Sequence, residues 1–336
     1  MDVNIAHENT FEKISLREVY VNSLIEIAEK NDKVVAVDAD LMLSLGMKPF
    51  IDKFPQRAIN AGVQEANMIG VAAGLSLLGF VPYAHTFACF ASRRVCDQIF
   101  ISCSYAKLNV RIIGSDPGIT ATLNGGTHMT FEDIGIMRTI PNVTILEPTD
   151  STMLRDLVSQ TADLYGVFYM RLIRKVDVKK VYEDGSHFTI GKAVQLREGR
   201  DITIIATGYC VGDSIEAANQ LEEKGISAKL LNIFTIKPID REAIIAAAEE
   251  TGAIITVENH NIINGLGSAV AEVLSECAPT WLERIGARDE FGEVGQIEYL
   301  KERYGLTPNM IVAAAERMLS NKKNRNNPKF DPRSHS

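Results

Sequence analysis

Apolar positions along the chain alternate between helical spacing and short unbroken runs. Leu16, Val19, Tyr20, Leu24 and Ile27 recur every third or fourth residue. Ser15-Leu16-Arg17-Glu18 sets a capping box in front of them, so a helix is predicted to run to about Lys30. Val34 to Val37 reads as a short buried strand ending in Asp38-Ala39-Asp40. Glu65 to Leu78 reads as a helix with Gly70 and Gly74 on one face, suited to close packing. Val81 to Phe87, Asn109 to Gly114, Val143 to Leu146 and Val167 to Leu172 read as strands. Between them lie predicted helices over Ala91 to Lys107, Phe131 to Thr139 and Thr152 to Leu164, and a Gly/Thr-rich loop over Gly118 to Gly126.

A polar stretch around Asp184-Gly185 reads as a linker. The pattern then resumes, with strands at Ile202 to Ala206, Ala228 to Ile233 and Ile254 to Val257. Helices are expected at Asp213 to Lys224, Asp240 to Glu249 and Gly267 to Cys277, and Thr307-Pro308 caps a last one. The expected division is a first unit over 11–178, a linker over 179–191, a second unit over 192–320 and a disordered tail over 321–336. Each unit alternates strand and helix, which makes the class α/β: two domains, each a mainly parallel sheet flanked by helices. No internal repeat is evident.

Composition narrows the function classes. Of 336 residues, 46 % are apolar and 23 % charged, as in an ordinary globular protein. Lys and Arg number 35 against 43 Asp and Glu, a net charge of −8, which disfavours nucleic acid and anionic membranes as partners. The five cysteines form no CxxC and imply neither a disulfide framework nor a zinc site. Cys89, Cys96 and Cys103 are spaced by seven and would share one helix face as buried thiols. The first ten residues lack the basic start and apolar core of a signal peptide, and the run IGVAAGLSLLGFV is too short to span a bilayer, so a cytoplasmic protein is expected.

In parallel α/β sheets, ligands bind beyond the carboxyl ends of the strands. Four segments with uncommon chemistry fall there: Asp38-Ala39-Asp40-Leu41, Phe87-Ala88-Cys89-Phe90, the loop from Ser115 to His128, and Arg171-Leu172-Ile173-Arg174. Together they could make an apolar pocket with an anion-binding rim, although strand-end Asp residues also cap helices and both Phe also suit a plain core. Glu65 opens an apolar helix. A Glu there complements the helix dipole, and a buried one could stay neutral and donate a hydrogen bond or pass a proton. Asn264-Gly265-Leu266-Gly267-Ser268 resembles a phosphate cradle less than a helix cap. His260 reads as structural, at an interface or a cap. Walker, GxGxxG and HExxH motifs are absent, and no metal ligand is assigned.

Taken in order, these segments resemble the C-terminal half of transketolase, over about Ile14 to Met318. The resemblance is carried by Gly62-Val63-Gln64-Glu65-Ala66-Asn67-Met68, Thr86-Phe87-Ala88-Cys89-Phe90, Gly126-Thr127-His128 with Glu132-Asp133, and Arg171-Leu172-Ile173-Arg174. Ile204-Ile205-Ala206-Thr207-Gly208, Thr235-Ile236-Lys237-Pro238, Gly265-Leu266-Gly267-Ser268-Ala269-Val270 and Phe291-Gly292-Glu293 continue it. Transketolases use thiamine diphosphate. Their diphosphate-binding domain carries a GDG motif that this sequence lacks. The resemblance therefore implies a split enzyme: a partner chain brings Mg²⁺ or Ca²⁺ and the diphosphate site, and two copies of each chain assemble.

By the same resemblance, Glu65 contacts the N1′ nitrogen of the cofactor's aminopyrimidine and favours the imino tautomer that deprotonates the thiazolium. Phe90 stacks on that ring, Phe87 lines its pocket, and Asp40 and Leu41 wall it. Arg93 stands where many relatives have a tyrosine. Arg17, Ser44 and Arg174 match residues that hold a sugar phosphate, and His128 matches one near the donor carbonyl. Asn124 replaces an aspartate that reads a substrate hydroxyl, and a substrate-binding histidine is lost at Gly114-Ser115-Asp116. The expected activity is transfer of a glycolaldehyde unit from a ketose, phosphorylated or otherwise anionic, to an aldose. The alternatives are a decarboxylating subunit like 1-deoxyxylulose-5-phosphate synthase or a 2-oxoacid dehydrogenase beta chain, and a non-catalytic stabilising or regulatory subunit.

Overall fold

The computed structural model describes residues 2–6 and 10–325. Seven strands form the first sheet: β1 (Val34–Asp38), β2 (Ala58–Asn60), β3 (Val81–Phe87), β4 (Val110–Ser115), β5 (Val143–Leu146), β6 (Val167–Leu172) and, from the second half of the chain, β10 (Thr235–Lys237). Their order is β10-β5-β6-β4-β3-β1-β2, parallel except for β10. The second sheet, β12-β11-β8-β9-β7, comprises β7 (Val194–Arg197), β8 (Ile202–Ala206), β9 (Ala228–Asn232), β11 (Ala253–Asn261) and β12 (Trp281–Ala287). Only its edge strand β7 runs antiparallel. The expected α/β class and mainly parallel sheets therefore stand.

The helices are α1 (Leu16–Lys30), α2 (Lys48–Lys53), α3 (Glu65–Leu77), α4 (Ala88–Ser92), α5 (Cys96–Gln98), α6 (Asp133–Thr139), α7 (Ser151–Asp163), α8 (Cys210–Glu223), α9 (Arg241–Thr251), α10 (Leu266–Cys277), α11 (Ile297–Arg303) and α12 (Pro308–Arg325). The Ser15 hydroxyl accepts from the Glu18 amide, as the capping box predicts. Alternate residues of the central strands feed two apolar cores. Ala36, Tyr83, Ile113 and Met170 face α1 and α7. Val37, Ala84, Ile112 and Tyr169 face the side of α3 and α6. Both cores continue into the second unit, so the two units are joined by packing as well as by chain.

The structure changes or sharpens several expectations. The helix over 91–107 is broken into α4, α5 and a wide-turned segment Ile99–Tyr105. Cys89, Cys96 and Cys103 consequently sit on three elements rather than one face. Cys89 and Cys103 are buried, and burial pushes their thiols up to about 11 and about 12. The stretch read as a linker packs against the start of the chain. Residues 2, 5 and 11 bridge to His187, Tyr182 and Lys179, while Val181, Tyr182 and Phe188 are fully buried. The tail's first five residues continue α12 to Arg325, and 326–336 lie outside the described residues. Lastly, β10 crosses from the second unit to the edge of the first sheet at β5, a swap no local pattern announces. Gly70 and Gly74 of α3 are exposed, and among the described residues nothing lies within 4 Å of where their side chains would point.

Candidate active site

The carboxyl ends of β2, β1, β3, β4 and β6 lie side by side, and each delivers one segment of the site. The chain after β2 turns at Gly62, whose φ of +77° suits glycine, and enters α3 at Glu65. Glu65 is buried at 3 % exposure. Its Oε1 accepts a hydrogen bond from Arg94 Nη1 at 2.6 Å, and the Arg94 side chain is 46 % exposed. Arg94 also lays its guanidinium 4.0 Å from the centre of the Phe90 ring. Glu65 is thus paired with a cation, Arg94, that sequence reasoning did not single out.

Phe87, Phe90 and His128 form an edge-to-face triad, with centroids 5.3–6.0 Å apart. The Thr127 hydroxyl lies 2.9 Å from His128 Nδ1 and fixes the ring's orientation. Arg93 pairs with Glu132 at 3.0 Å and donates to the Thr127 carbonyl at 3.2 Å, bracing the same loop. Cys89, Phe90, Arg93, Arg94, Thr127 and His128 line an open depression of about 510 Å³. Asn124 is exposed, four residues before His128 in the same loop. At the end of β1, Asp40 takes a φ of +64° and exchanges hydrogen bonds with Asn60 at 3.1 Å. Leu41 is half-buried, and its amide donates to Asp38. Burial pushes the Asp38 carboxyl up to about 7, and its Oδ2 is buried without a hydrogen-bond partner. Beside it His85, held down to about 3 by burial, lies 2.5 Å from the Tyr20 hydroxyl.

The third cluster is anionic and cationic at once. The Ser44 carbonyl accepts from Arg17 at 2.9 Å and from Arg174 at 3.2 Å, and the Ser44 hydroxyl also meets Arg174. Arg174 sends Nε and Nη2 to Asp116 Oδ2 at 2.8 and 2.5 Å. Burial raises the Asp116 carboxyl above the usual carboxylate range, with Arg174 working against it. The Arg174 guanidinium lies 5.1 Å from the Phe87 ring centre, so this cluster adjoins the aromatic one. The structure brings Arg17, Ser44 and Arg174 together as the sequence suggested. It adds Asp116, which the sequence showed only as the place of a missing histidine.

Two motifs resolve as structural. The amide-rich start of α10 is filled by the protein's own Glu258, which accepts from Leu266 and Gly267 at 2.6 and 2.8 Å. His260 is fully buried between the units, with Nε2 toward the Gly135 amide at 3.4 Å and Nδ1 2.7 Å from the Asn261 carbonyl. Nearby, Arg171 binds Asp133, Glu147 and the Asn259 carbonyl in one buried network. Burial works against charge on Asp133, but Arg171 overcomes it and holds the carboxyl below its usual range. Among the described residues no helix is long and apolar enough to cross a membrane.

The comparisons agree with this architecture. Residues 12–176 match the transketolase pyrimidine-binding domain and 191–311 the transketolase C-terminal domain. The chain is 51 % identical to the 6-deoxy-6-sulfo-D-fructose transketolase subunit SqwH of Clostridium sp. (strain MSTE9), over 95 % of this chain and 99 % of that one. It is 42 % identical to a putative transketolase C-terminal section of Methanocaldococcus jannaschii, over 87 % and 92 %. Among solved structures, a split-gene transketolase described as an inactive beta4 tetramer superposes with a TM-score of 0.85, at 41 % identity, over 91 % of this chain and 99 % of that one. A chain of two such domains, aligned end to end with split transketolase subunits, belongs to the transketolase family.

Proposed function

We propose that this chain is the pyrimidine-binding subunit of a two-chain transketolase, moving a two-carbon ketol unit from an anionic ketose to an aldose. The observation that carries the reading is the Glu65–Arg94–Phe90 arrangement. A flat, N–H-bearing cation already stacks on Phe90 and bonds Glu65. An aminopyrimidine presents the same plane, and its ring nitrogen would accept a proton held by Glu65 in the place where Arg94 now donates, so these residues fit that ring. Thiamine diphosphate would supply the carbon nucleophile that cleaves the ketose and carries its two-carbon end.

This chain's own residues have separate tasks in that scheme. Glu65 holds a proton at the pyrimidine edge, and Phe90 offers the ring face, with Phe87, Asp40 and Leu41 as walls. His128, oriented by Thr127, exchanges a hydrogen bond or a proton with the donor's carbonyl end. Arg93 braces the His128 loop, and Asn124 reads a substrate hydroxyl without charge. Arg17, Ser44 and Arg174 hold the far, anionic end. The partner chain brings Mg²⁺ or Ca²⁺ and the diphosphate seat, in an assembly of two copies of each. The unit over 11–178 then carries the chemistry, and that over 192–320 supports assembly. The high identity to the sulfofructose transketolase subunit makes a sulfonated ketose the favoured donor.

The test is co-expression with the open reading frame that encodes the GDG-bearing half, purification by a tag on this chain, and assay with thiamine diphosphate and Mg²⁺. Co-purification with ketol transfer from 6-deoxy-6-sulfofructose or fructose 6-phosphate is expected. Carbon dioxide release from pyruvate would instead place the chain among the decarboxylating enzymes. Neither activity would leave it a non-catalytic subunit.

A further inference from the structure

The anion-binding end of the site contains a carboxylate. Asp116 follows β4 in a left-handed conformation, φ +54°, secured by its amide on the Leu172 carbonyl at 2.9 Å. That turn aims the side chain at Arg174, and Asp116 Oδ2 takes both Nε and Nη2. Ser44 takes Nη1 through its carbonyl and its hydroxyl oxygen. Arg174, 3 % exposed, is therefore engaged by protein on every nitrogen, and its charge is offset before any substrate arrives. Asp116 Oδ1 is buried and has no hydrogen-bond partner. Arg17, half-buried, is the second guanidinium. Lys175 also acts on Asp116, but its side chain is exposed to solvent.

An incoming anion thus meets two guanidinium charges and one carboxylate, a surplus of one positive charge. We infer that Asp116 sets the charge of the sugar end the site accepts, selecting a singly charged sulfonate over a doubly charged phosphate. A sulfonate carries one negative charge and balances the cluster. A phosphate monoester carries about −1.5 to −2 at pH 7, and the excess lies beside a buried carboxylate where water screens poorly. The Ser44 hydroxyl, whose oxygen faces Arg174, keeps its own proton to donate to an oxygen of either group. This inference rests on the ketol-transfer reading and names the substrate class of that same site.

The experiment uses the assembled two-chain enzyme with thiamine diphosphate and Mg²⁺. Two donors are compared by kcat/KM, 6-deoxy-6-sulfofructose and fructose 6-phosphate. A matched unreactive pair, 2,3-dihydroxypropane-1-sulfonate and glycerol 1-phosphate, is compared by competitive inhibition. The native enzyme is expected to favour the sulfonate at least tenfold in both measures. Asp116→Asn should narrow the donor ratio at least tenfold, chiefly through a lower KM for the phosphate, while Asp116→Glu keeps the preference. A ratio cancels any uniform damage from the substitution, and if neither variant folds, the native enzyme's inhibition order decides alone. Transfer that favours the phosphate, or a ratio indifferent to Asp116→Asn, overturns the inference and leaves the ketol-transfer reading standing. No transfer from either donor overturns that reading, and this inference with it.

Discussion

Glu65 and Arg94 show what one residue's neighbours do to its chemistry. A Glu at the start of an apolar helix is ordinary dipole complementarity in sequence. In the fold it is 3 % exposed and bonded to Arg94, whose guanidinium lies over the Phe90 ring. Removing its proton-holding oxygen should therefore stop chemistry without disturbing the scaffold. Glu65→Gln keeps the volume and a hydrogen-bond acceptor for Arg94, but its amide cannot hold and return a proton. Turnover of the assembled enzyme is expected to fall at least 100-fold, with an unchanged elution volume and unfolding midpoint. Turnover within threefold of native would remove Glu65 from the proton path. Glu65, Phe87, Phe90 and His128 could be proposed from the sequence because the motifs that carry the resemblance are local. Arg94 was not, because its stacking depends on where the broken helix after Phe90 leaves it. Asp116 was legible only as a departure, since its role depends on Arg174, 58 residues away in sequence.

Elements were read best where a period was sustained. α1, α3, α7 and five of the six strands of the first half fall where the pattern puts them; the sixth, the short edge strand β2, has three residues and leaves no period to detect. The helix over 91–107 failed because apolar spacing does not register a widened turn. β10 was missed because its pairing with β5 is a long-range choice. The junction of α6, β11 and α10 shows how a polar residue can be an element-level device. His260 there is neutral, accepting from Gly135 and donating to Asn261, and burial lowers it to about 4. Its ordinary value is about 6.5, so between pH 6.5 and 4 the unfolded chain takes a proton that the folded chain refuses. The stability His260 contributes is complete above pH 6.5 and is lost as pH falls toward 4. His260→Gln, which can donate and accept without titrating, should be less stable by about 1–2 kcal/mol at pH 7.5. That deficit should shrink by roughly 2 kcal/mol by pH 4.5. Glu258, pushed up to about 7 by burial, works in the opposite direction, but it is present in both proteins, so the difference reports His260. Urea unfolding of both proteins at several pH values measures it, and a constant deficit would mean that His260 is not held neutral.

On the scale of the molecule, the site faces outward. Val63, Leu123, Phe291 and Val294, between 62 and 92 % exposed, stand beside Glu65, Asn124 and the 124–128 loop. Large apolar side chains around a polar cleft mark a surface that another chain covers. The chain's own anion-cradling helix start, at α10, is occupied by Glu258 and offers no seat to a diphosphate. The described residues contain no group of three His, Cys, Asp or Glu able to hold a metal ion. The affinity for thiamine diphosphate should therefore belong to the assembly. By titration calorimetry with Mg²⁺, the isolated chain is expected to bind the cofactor at least 100-fold more weakly than the two-chain complex. The pyrimidine ring alone gives an aromatic stack and one carboxyl contact, too little to hold a flexible dianion in place. Equal affinity would mean that this chain contains the whole cofactor site, and the exposed apolar rim would then need a different partner.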